Sequence, residues 1–417
     1  MRIYAPQSKA SCEDSLKCAD MVPRPSRSEL SKHWTLDPDT VFLNHGSFGA
    51  CPEVILNEQE RLRRQLETDP VQFMEVDARE LWTQALSTLS DFMNADSEGM
   101  TFVTNATSGV NTILRSLDLQ ADDEIIISDH SYQACWNAVD FVTNRTGAKT
   151  VVVPIPFPTE SDEQVIEAIL NHVTERTRLA LIDTVTSPTG LRMPFEKLVT
   201  ELQSRDIDVL LDAAHGPGIV PLDIKKLQPA YITGNAHKWL CTPKGSAFLH
   251  IREDRRERIR PLSISHGASV PGTAEESFRF EFDWTGTQDP TAWLCIPQAI
   301  EFLGGMLEGG WPVIMEHNRQ LVLSGRELLL RALGLQSPSP DSMIVGLAAV
   351  PLPGKGTLTS SALEPDPLHT LLLEKYSIQV PVFGWPHHDS RYLRVTAHLY
   401  NSIEEYEYLA QALKQEL

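Results

Sequence analysis

The sequence has no long apolar run and comparatively few basic residues. No stretch reaches the 18 or more apolar residues that a membrane-spanning helix needs, and the first 20 residues contain no apolar signal core. We therefore expect neither a membrane segment nor a secretory signal. With 36 Lys and Arg against 56 Asp and Glu, the net charge of −20 disfavours nucleic acid and anionic membrane as partners.

Cysteines are also few for a chain of 417 residues, and none lies in a CxxC pair. The six are Cys12, Cys18, Cys51, Cys135, Cys241 and Cys295. Their scatter indicates reduced thiols rather than a disulfide framework, and it fits no structural zinc pattern. We predict a cytoplasmic protein without a metal site.

The middle of the chain contains short apolar runs that alternate with helical patterns. The strand candidates lie at 100–104, 124–129, 149–155, 178–185, 207–213, 230–235 and 245–251. Continuous Val, Ile and Leu strands separated by helices predict a mostly parallel, seven-stranded sheet with helices on both faces, which is an α/β fold.

The order of elements changes on either side of this region. Past Trp284, a long helical stretch to about Leu333 and then mixed strands and helices predict a smaller α+β domain. We predict a flexible N-terminal arm at residues 1–30, an N-terminal segment of the small domain at 31–70, a large domain at 71–310 and the C-terminal small domain at 311–417.

Polar and aromatic residues follow the first two of these strands. Asn105, Thr107 and Ser108 start a helix after strand 100–104, where exposed N–H groups and the helix dipole suit a phosphate. An ordinary helix cap explains them equally well. His130 and Tyr132 follow strand 124–129, where they would either stack on a flat ligand or pack against the protein.

Two later strands end in groups that can ionise. Asp212 and His215 close strand 207–213, and a carboxylate there needs a cationic or hydrogen-bonding partner, from the protein or from a ligand. Strand 230–235 leads into His237 and Lys238, beside apolar residues that would lower the pKa of the lysine. Lys244 is the rival lysine.

Taken together, these groups match one cofactor. A phosphate site, a ring-stacking side chain, a carboxylate for a pyridinium nitrogen and a lysine that forms a Schiff base are what pyridoxal 5'-phosphate requires. The carboxyl ends of strands in open α/β sheets are where ligands bind. The sequence therefore predicts a pyridoxal-phosphate site at that edge of the sheet.

The chain resembles fold-type I pyridoxal-phosphate enzymes of the class V aminotransferase superfamily, and most closely the isopenicillin N epimerase-like branch. That branch also includes C–S lyases of ergothioneine biosynthesis. The resemblance covers about residues 34–417. It rests on FLNHGSFG at 42–49, NATSGVN at 105–111, DHSYQA at 129–134, LLDAAH at 210–215, NAHKWL at 235–240, DWTGTQDP at 283–290 and RVTAHLYNS at 394–402.

The resemblance implies a role for each matching residue. Lys238 would bind the cofactor covalently and move the Cα proton, and Asp212 would hold the pyridine nitrogen. The other cofactor residues would be His215 near the phenolic oxygen, His130 on the ring face with Tyr132 as its competitor, and Thr107, Ser108, Asn235 and His237 around the phosphate.

The resemblance also implies a shared substrate site. Arg394 would bind the substrate carboxylate, and Asn44 and His45 would line the substrate side. Thr287 would reach the phosphate of the neighbouring subunit in a homodimer. Loops 44–51, 263–289 and 380–391 would form the pocket, with aromatic side chains at Trp284, Phe383, Trp385, His387 and His388.

Two reactions on an amino-acid substrate stay open. Epimerisation or racemisation needs an acid or base on each face of Cα: Lys238 on one, and His130, Tyr132 or a water-linked group on the other. The alternative is β-elimination at a cysteine conjugate or sulfoxide, for which Lys238 suffices. Aminotransfer and a non-catalytic homologue are less favoured. Cysteine desulfurases of this superfamily carry a nucleophilic cysteine on a loop upstream of the arginine that binds the carboxylate. The corresponding residues 380–394 contain no cysteine, so the resemblance disfavours a persulfide-forming desulfurase.

Overall fold

The computed structural model of the protein describes residues 24–356, 366–386 and 390–417. The predicted flexible arm therefore lies outside the described residues up to position 23, as do His387 and His388. The last residues of that arm contact the C-terminal helix, since Ser402 Oγ donates to Ser26 O at 2.6 Å. The divisions predicted at residues 70 and 310 stay predictions.

The strands of the described residues form one large sheet and two small ones. They are β1 (Val41–Phe42), β2 (Met100–Val103), β3 (Glu124–Ser128), β4 (Lys149–Val153), β5 (Thr177–Asp183), β6 (Asp208–Ala213), β7 (Tyr231–Asn235), β8 (Ala247–Ile251), β9 (Leu347–Leu352), β10 (Ile378–Gln379), β11 (Val382–Gly384) and β12 (Arg391–Thr396).

The large sheet has the order β2-β8-β7-β6-β5-β3-β4. Its strands are parallel except for β8, which runs antiparallel to both of its neighbours. The predicted α/β fold with a mostly parallel, seven-stranded sheet is confirmed. The antiparallel direction of β8 was not predicted, because an apolar run of five residues reads the same in either direction.

Helices cover the sheet and build the rest of the chain. They are α1 (His45–Phe48), α2 (Glu53–Thr68), α3 (Pro70–Gln72), α4 (Ala78–Phe92), α5 (Ala106–Ser116), α6 (Gln133–Thr146), α7 (Asp162–Leu170), α8 (Phe195–Gln203), α9 (Ile224–Leu227), α10 (Ala274–Phe282), α11 (Thr291–Leu294), α12 (Ile296–Gly304), α13 (Trp311–Leu333), α14 (Pro367–Tyr376) and α15 (Ile403–Glu416). Among the described residues, no helix combines the length and apolarity needed to cross a bilayer.

Both faces of the large sheet are buried, which explains the unbroken apolar runs. On β5, Leu179 and Leu181 belong to one hydrophobic cluster, while Ala180 and Ile182 belong to the cluster on the opposite face. Each fully buried aliphatic side chain of this kind contributes roughly 1.5–3 kcal/mol. The strands therefore hold the sheet rigidly and fix the positions of the residues at their ends.

The C-terminal part of the chain has its own apolar core. Strands β11, β12 and β9 form an antiparallel sheet, and α13 and α15 pack beside it. The short strand β1 pairs in parallel with β10, so that residue 41 lies opposite residue 378. The segment after β1, with α1, lies next to the end of β12, where Thr396 N donates to Leu43 O at 3.0 Å.

Candidate active site

The carboxyl ends of three adjacent strands bring polar side chains together. Asp183 ends β5, Asp212 is the penultimate residue of β6 and Asn235 ends β7. The register places Asp183 directly opposite Asp212. All three side chains are buried. This is the edge at which the sequence predicted a ligand site.

Asp212 accepts two hydrogen bonds from the protein. The backbone N–H of Ala214 donates to Oδ1 at 2.9 Å, and the thiol of Cys135 lies 3.2 Å from Oδ2. Burial raises the pKa of Asp212, while these two donors and the nearby Lys238 oppose the rise. Sequence reasoning singled out neither Cys135 nor Asp183. An aspartate follows the apolar run of β5 just as one follows the apolar run of β6, and this shared pattern could have marked Asp183 as a site residue.

Lys238 is partly buried and lies beside His215. Its Nζ atom is 3.1 Å from His215 Nε2, and the indole N–H of Trp239 donates to His215 Nδ1 at 3.2 Å. Burial and the nearby Arg394 lower the pKa of Lys238 to about 7, against the opposing effect of Asp212. Burial, Lys238 and Arg394 also hold the pKa of His215 well below its usual value. About half of the amine is therefore neutral near pH 7, whereas an ordinary lysine is almost fully protonated there, and the neutral form is the nucleophile.

The predicted phosphate residues surround the N-terminus of α5. Asn105 caps the helix by accepting from Ser108 N at 2.8 Å, and Asn235 Oδ1 accepts from Ala106 N at 2.9 Å. Thr107 lies in the same first turn. Asn235 therefore ties the end of β7 to the start of the helix, where the helix dipole favours an anion.

His237 lies two residues after the end of β7. Its Nδ1 lies 2.9 Å from Ser246 O, which makes Nδ1 the donor and leaves Nε2 as the acceptor of a neutral ring. Burial lowers the pKa of His237 to about 4. A neutral ring of this tautomer binds an anion only through a proton added at Nε2, so the helix terminus is the stronger anion site.

The two ring candidates after β3 lie in different environments. His130 is fully buried, with Nδ1 2.7 Å from Thr189 Oγ1 and Nε2 3.3 Å from Ile155 O, and Trp385 packs edge-on at 4.1 Å. Burial lowers the pKa of His130 to about 3. Tyr132 is 47% exposed. Burial of its hydroxyl, then Cys135 and Asp212, raise the pKa of Tyr132, and Arg394 opposes them.

Arg394 lies on β12 and is buried at this site. Its guanidinium donates to Ser187 O and to Ser47 Oγ, the latter at 3.1 Å, and it approaches Asn44 Oδ1 at 3.4 Å. Its Nε is buried without a partner among the described residues. Burial lowers the pKa of Arg394 to about 10. The cation is therefore held in place by neutral oxygens and retains donor capacity for an anion.

His45 lies behind Lys238 and does not face the open side. Its ring is fully buried, with Nδ1 2.8 Å from Tyr400 Oη and Nε2 3.0 Å from the carbonyl oxygen of Lys238. Gly49 ends the same helix, and a Cβ at this position would lie 2.2 Å from His237 O and 2.9 Å from Lys238 Cα. The segment from Asn44 to Gly49 thus supports the backbone of the lysine and the side chain of Arg394.

One buried cluster near this segment contains metal-ligand types. His45, Cys241 and His398 place their donor atoms within 4.8 Å of one another. Both ring nitrogens of His45 already have hydrogen-bond partners, and its ring stacks on that of His398 at 4.3 Å. Hydrogen bonding and packing account for the cluster without an ion.

Thr287 lies in the segment between α10 and α11. It belongs to an exposed stretch of residues 287–289, which Asp289 anchors by accepting from Thr291 N at 2.9 Å. An exposed position is compatible with the role implied for a neighbouring subunit. Trp284 in the same loop is partly buried.

Comparison with known proteins identifies relatives over most of the chain. The family model described as "Aminotransferase class-V" matches residues 41–354. An isopenicillin N epimerase of Amycolatopsis lactamdurans is 33% identical over 399 residues, covering 91% of this chain and 96% of the relative. An L-cysteine desulfhydrase of Arabidopsis thaliana is 29% identical over 419 residues, covering 93% of this chain and 89% of the relative.

Solved structures share the fold at lower identity. The cystine C–S lyase C-DES, in complex with cysteine persulfide, superposes with a TM-score of 0.72 at 22% identity. The superposition covers 90% of this chain and 98% of that one. At this identity the likeness supports the fold alone.

Proposed function

Because the chain belongs to the class V aminotransferase family, we propose that it removes and returns the Cα proton of an amino acid, as an epimerase or racemase. The protein is a pyridoxal-phosphate enzyme, and the resemblance drawn from its motifs is confirmed. The observation that carries the proposal is the Lys238 amine, which lies 3.1 Å from His215 Nε2 and whose pKa is lowered to about 7 by burial and by the charge of Arg394, with Asp212 opposing them.

The residues present fit the cofactor. Asp212 is a buried carboxylate able to bind a protonated ring nitrogen, and Lys238 supplies the neutral amine for covalent attachment. The first turn of α5, with Thr107 and Ser108, offers N–H and hydroxyl groups to a phosphate, Asn235 bonds to its first N–H, and His237 follows Asn235 by two residues. When bound, the cofactor withdraws the electron pair that deprotonation leaves at Cα.

The substrate carboxylate is assigned to Arg394. Its guanidinium is buried, is held by Ser47 and Ser187, and has an unpartnered Nε. A planar fork of N–H donors matches a carboxylate in two parallel hydrogen bonds. Arg394 would thereby place Cα of the amino acid within reach of Lys238. Asn44 would act on the substrate through its contact with the arginine.

Epimerisation requires a second group that exchanges protons on the opposite face of Cα. Both ring nitrogens of His130 have partners, and burial lowers its pKa to about 3. Tyr132 is half-exposed, and its hydroxyl interacts with Asp212 and Arg394. We assign the second face to Tyr132, and we assign to His130 a supporting contact with the cofactor ring.

The proposal is tested by incubating the enzyme with a panel of amino acids in deuterium oxide. Epimerisation predicts deuterium at Cα and inverted chirality, with no ammonia or 2-oxo acid, and neither change in a Lys238→Ala variant. Ammonia with a 2-oxo acid would instead indicate β-elimination. That second candidate is favoured by the desulfhydrase relative and by its need for one base, Lys238.

We also propose a homodimer with shared sites. Large apolar side chains are exposed on the N-terminal helices and the loop before α10, namely Phe48, Val71, Val76, Leu262, Ile264 and Val270. If Thr287 completes the neighbour's phosphate site, mixing the inactive variants Lys238→Ala and Thr287→Ala should restore activity, because one site of each mixed dimer is then intact. No recovery would contradict a shared site.

The cytoplasmic location also stays a proposal. The four cysteines among the described residues, Cys51, Cys135, Cys241 and Cys295, are all free and buried. Free thiols are usual in a reducing compartment. Fractionation of cells that express the tagged protein tests this location.

A further inference from the structure

Two buried carboxylates face each other where only one is needed for the cofactor ring. Asp183 and Asp212 are paired across β5 and β6, and each side chain is 3% exposed. Two such carboxylates cannot both ionise in an apolar layer without a cation for each. Lys238 is the basic side chain that acts on Asp212, where it lowers the pKa of the carboxyl, and the groups acting on Asp183 include no basic side chain. The pair therefore retains one proton.

The hydrogen bonds indicate which carboxylate keeps that proton. Asp212 faces two donors, the N–H of Ala214 and the S–H of Cys135, and both stabilise a negative charge. Asp183 Oδ2 contacts the hydroxyl of Ser131 at 2.6 Å, and a hydroxyl accepts from an acid as readily as it donates to an anion. The backbone N–H of Asp183 itself is a further donor to its carboxyl, and its effect is smaller than that of burial. Burial and the charge of Asp212 raise the pKa of Asp183 well above its usual value.

Cys135 meets Asp212 from a different element. It lies on α6, which follows β3, and its side chain is fully buried. Burial and the neighbouring carboxylates raise the pKa of the thiol well above its usual value, so the sulfur stays protonated and remains a donor. The thiol thus holds Asp212 Oδ2 from the side of α6, while Ala214 holds Oδ1.

We propose that Cys135 and Asp183 are positioning residues for Asp212: the thiol fixes the orientation of its carboxylate, and Asp183 carries the proton of the pair. As a result, a single negative charge in a defined orientation faces the cofactor. The inference rests on the proposed cofactor role of Asp212 and extends it to two residues that no motif marked. The ionisable groups around Asp183 are Asp212 on β6 and Cys135 on α6. Lys238 and Tyr132 interact in turn with Asp212 and Cys135.

The first experiment measures pyridoxal-phosphate dissociation by equilibrium dialysis of the apoprotein. Cys135→Ala should raise the dissociation constant about tenfold, the value of a lost hydrogen bond to a charged group, whereas Cys135→Ser should stay within about twofold of wild type. The matched control is Cys295→Ala, which removes a buried sulfur whose contact is with Ile55 O at 3.9 Å. Equal constants for Cys135→Ala and Cys295→Ala would overturn the role of the thiol.

The second experiment follows the melting temperature of the apoprotein from pH 4 to pH 7. A group whose folded pKa is raised contributes stability below its unfolded pKa and loses it as pH rises. In Asp183→Asn, residue 183 is uncharged at every pH. The melting temperature of the variant minus that of wild type should therefore increase as pH rises above about 4. Asp254→Asn should show the opposite trend, because a hydrogen bond from Arg252 lowers the pKa of Asp254.

The outcomes separate this inference from the proposed function. If Asp212→Asn binds pyridoxal phosphate as tightly as wild type, the cofactor assignment of Asp212 fails. If Asp212→Asn weakens binding while the melting temperature of Asp183→Asn falls relative to that of wild type as pH rises, Asp183 is ionised in the folded protein. In that case the inference about Asp183 fails and the cofactor role of Asp212 stands. Circular dichroism of each variant verifies that the fold is retained, and Cys135→Ser provides the rescue if Cys135→Ala does not fold.

Discussion

Trp239 fixes the tautomer of His215. An indole N–H can only donate, so the 3.2 Å bond from Trp239 Nε1 makes His215 Nδ1 an acceptor and places the imidazole proton on Nε2. That proton points at Lys238 Nζ, 3.1 Å away, where it can be accepted only by a neutral amine. The bonding pattern and the burial of the lysine thus favour the same protonation state.

The neutral amine predicts how cofactor attachment depends on pH. Burial and Arg394 lower the pKa of Lys238 to about 7, so below that value the reactive fraction should fall about tenfold for each pH unit. Above pH 7 the rate should level off. The measurement is the initial rate at which borohydride reduction traps pyridoxal phosphate on the apoprotein.

The matched control for this experiment is the rival lysine. Lys244 is exposed on the turn before β8, so Lys244→Met should keep both the rate and its midpoint. Lys238→Met should abolish specific trapping. A midpoint near 10, the value of an ordinary lysine, would contradict the neutral amine.

Removal of the indole N–H should shift this midpoint upward. In Trp239→Phe, His215 is free to carry its proton on Nδ1, and its Nε2 then accepts from a protonated Lys238. That arrangement stabilises the ammonium form and raises the pKa of the lysine. Trp311→Phe is the control, because the indole N–H of Trp311 donates to Ile300 O at 3.0 Å and not to His215. Equal midpoints for the two variants would count against tautomer control by Trp239.

The large sheet and its ligand edge could be predicted because both depend on local patterns. Strands buried on two faces need continuous apolar runs, and Asp212 and Lys238 come directly after such runs in the sequence. The direction of β8 and the pairing of the Asp183 and Asp212 carboxyls depend on neighbours in space. Nothing adjacent to Cys135 in the sequence indicates that its thiol meets a strand 77 residues away.

The motif FLNHGSFG illustrates the same limit. The sequence predicts a substrate-side role for its Asn44 and His45, and that role stays a prediction. In the structure, Asn44 and Ser47 contact Arg394, about 350 positions away, and His45 contacts the backbone of Lys238. A sequence motif identifies a set of residues without specifying what each of them contacts. Whether they touch a ligand or support a residue that does so is decided by packing between distant segments.

Gly49 should prove essential through its close approach to Lys238. Its φ of +72° disfavours any side chain, and a Cβ would lie 2.2 Å from His237 O. Gly49→Ala should therefore lower the melting temperature and weaken retention of pyridoxal phosphate. Gly334→Ala shares the strained φ, at +67°, but has open space for a Cβ. It should lose about 1 kcal/mol of stability and retain the cofactor fully; the same cofactor loss in both variants would refute the close-contact argument.

Arg394 should govern substrate affinity more than the rate of chemistry. Arg394→Lys retains a positive charge but loses the planar fork, so kcat/KM should fall about 10- to 100-fold, mainly through KM. Ser47→Ala removes one contact that orients the guanidinium, and about a fivefold effect is expected. Steady-state kinetics on the amino acid found by the panel provide the test. An unchanged KM in both variants would assign the carboxylate to another group.

Asn235 should act on the phosphate and on no other part of the cofactor. Its Oδ1 accepts from Ala106 N at 2.9 Å, which holds the N-terminus of α5 against the end of β7. Asn235→Ala releases that helix end and leaves Lys238 and Asp212 in place. The affinity for pyridoxal phosphate should then fall about tenfold, while the affinity for pyridoxal, which lacks the phosphate, should change little. Pyridoxal serves as the internal control, because equal losses for both ligands would mean that the substitution disturbs the ring site and not the phosphate site.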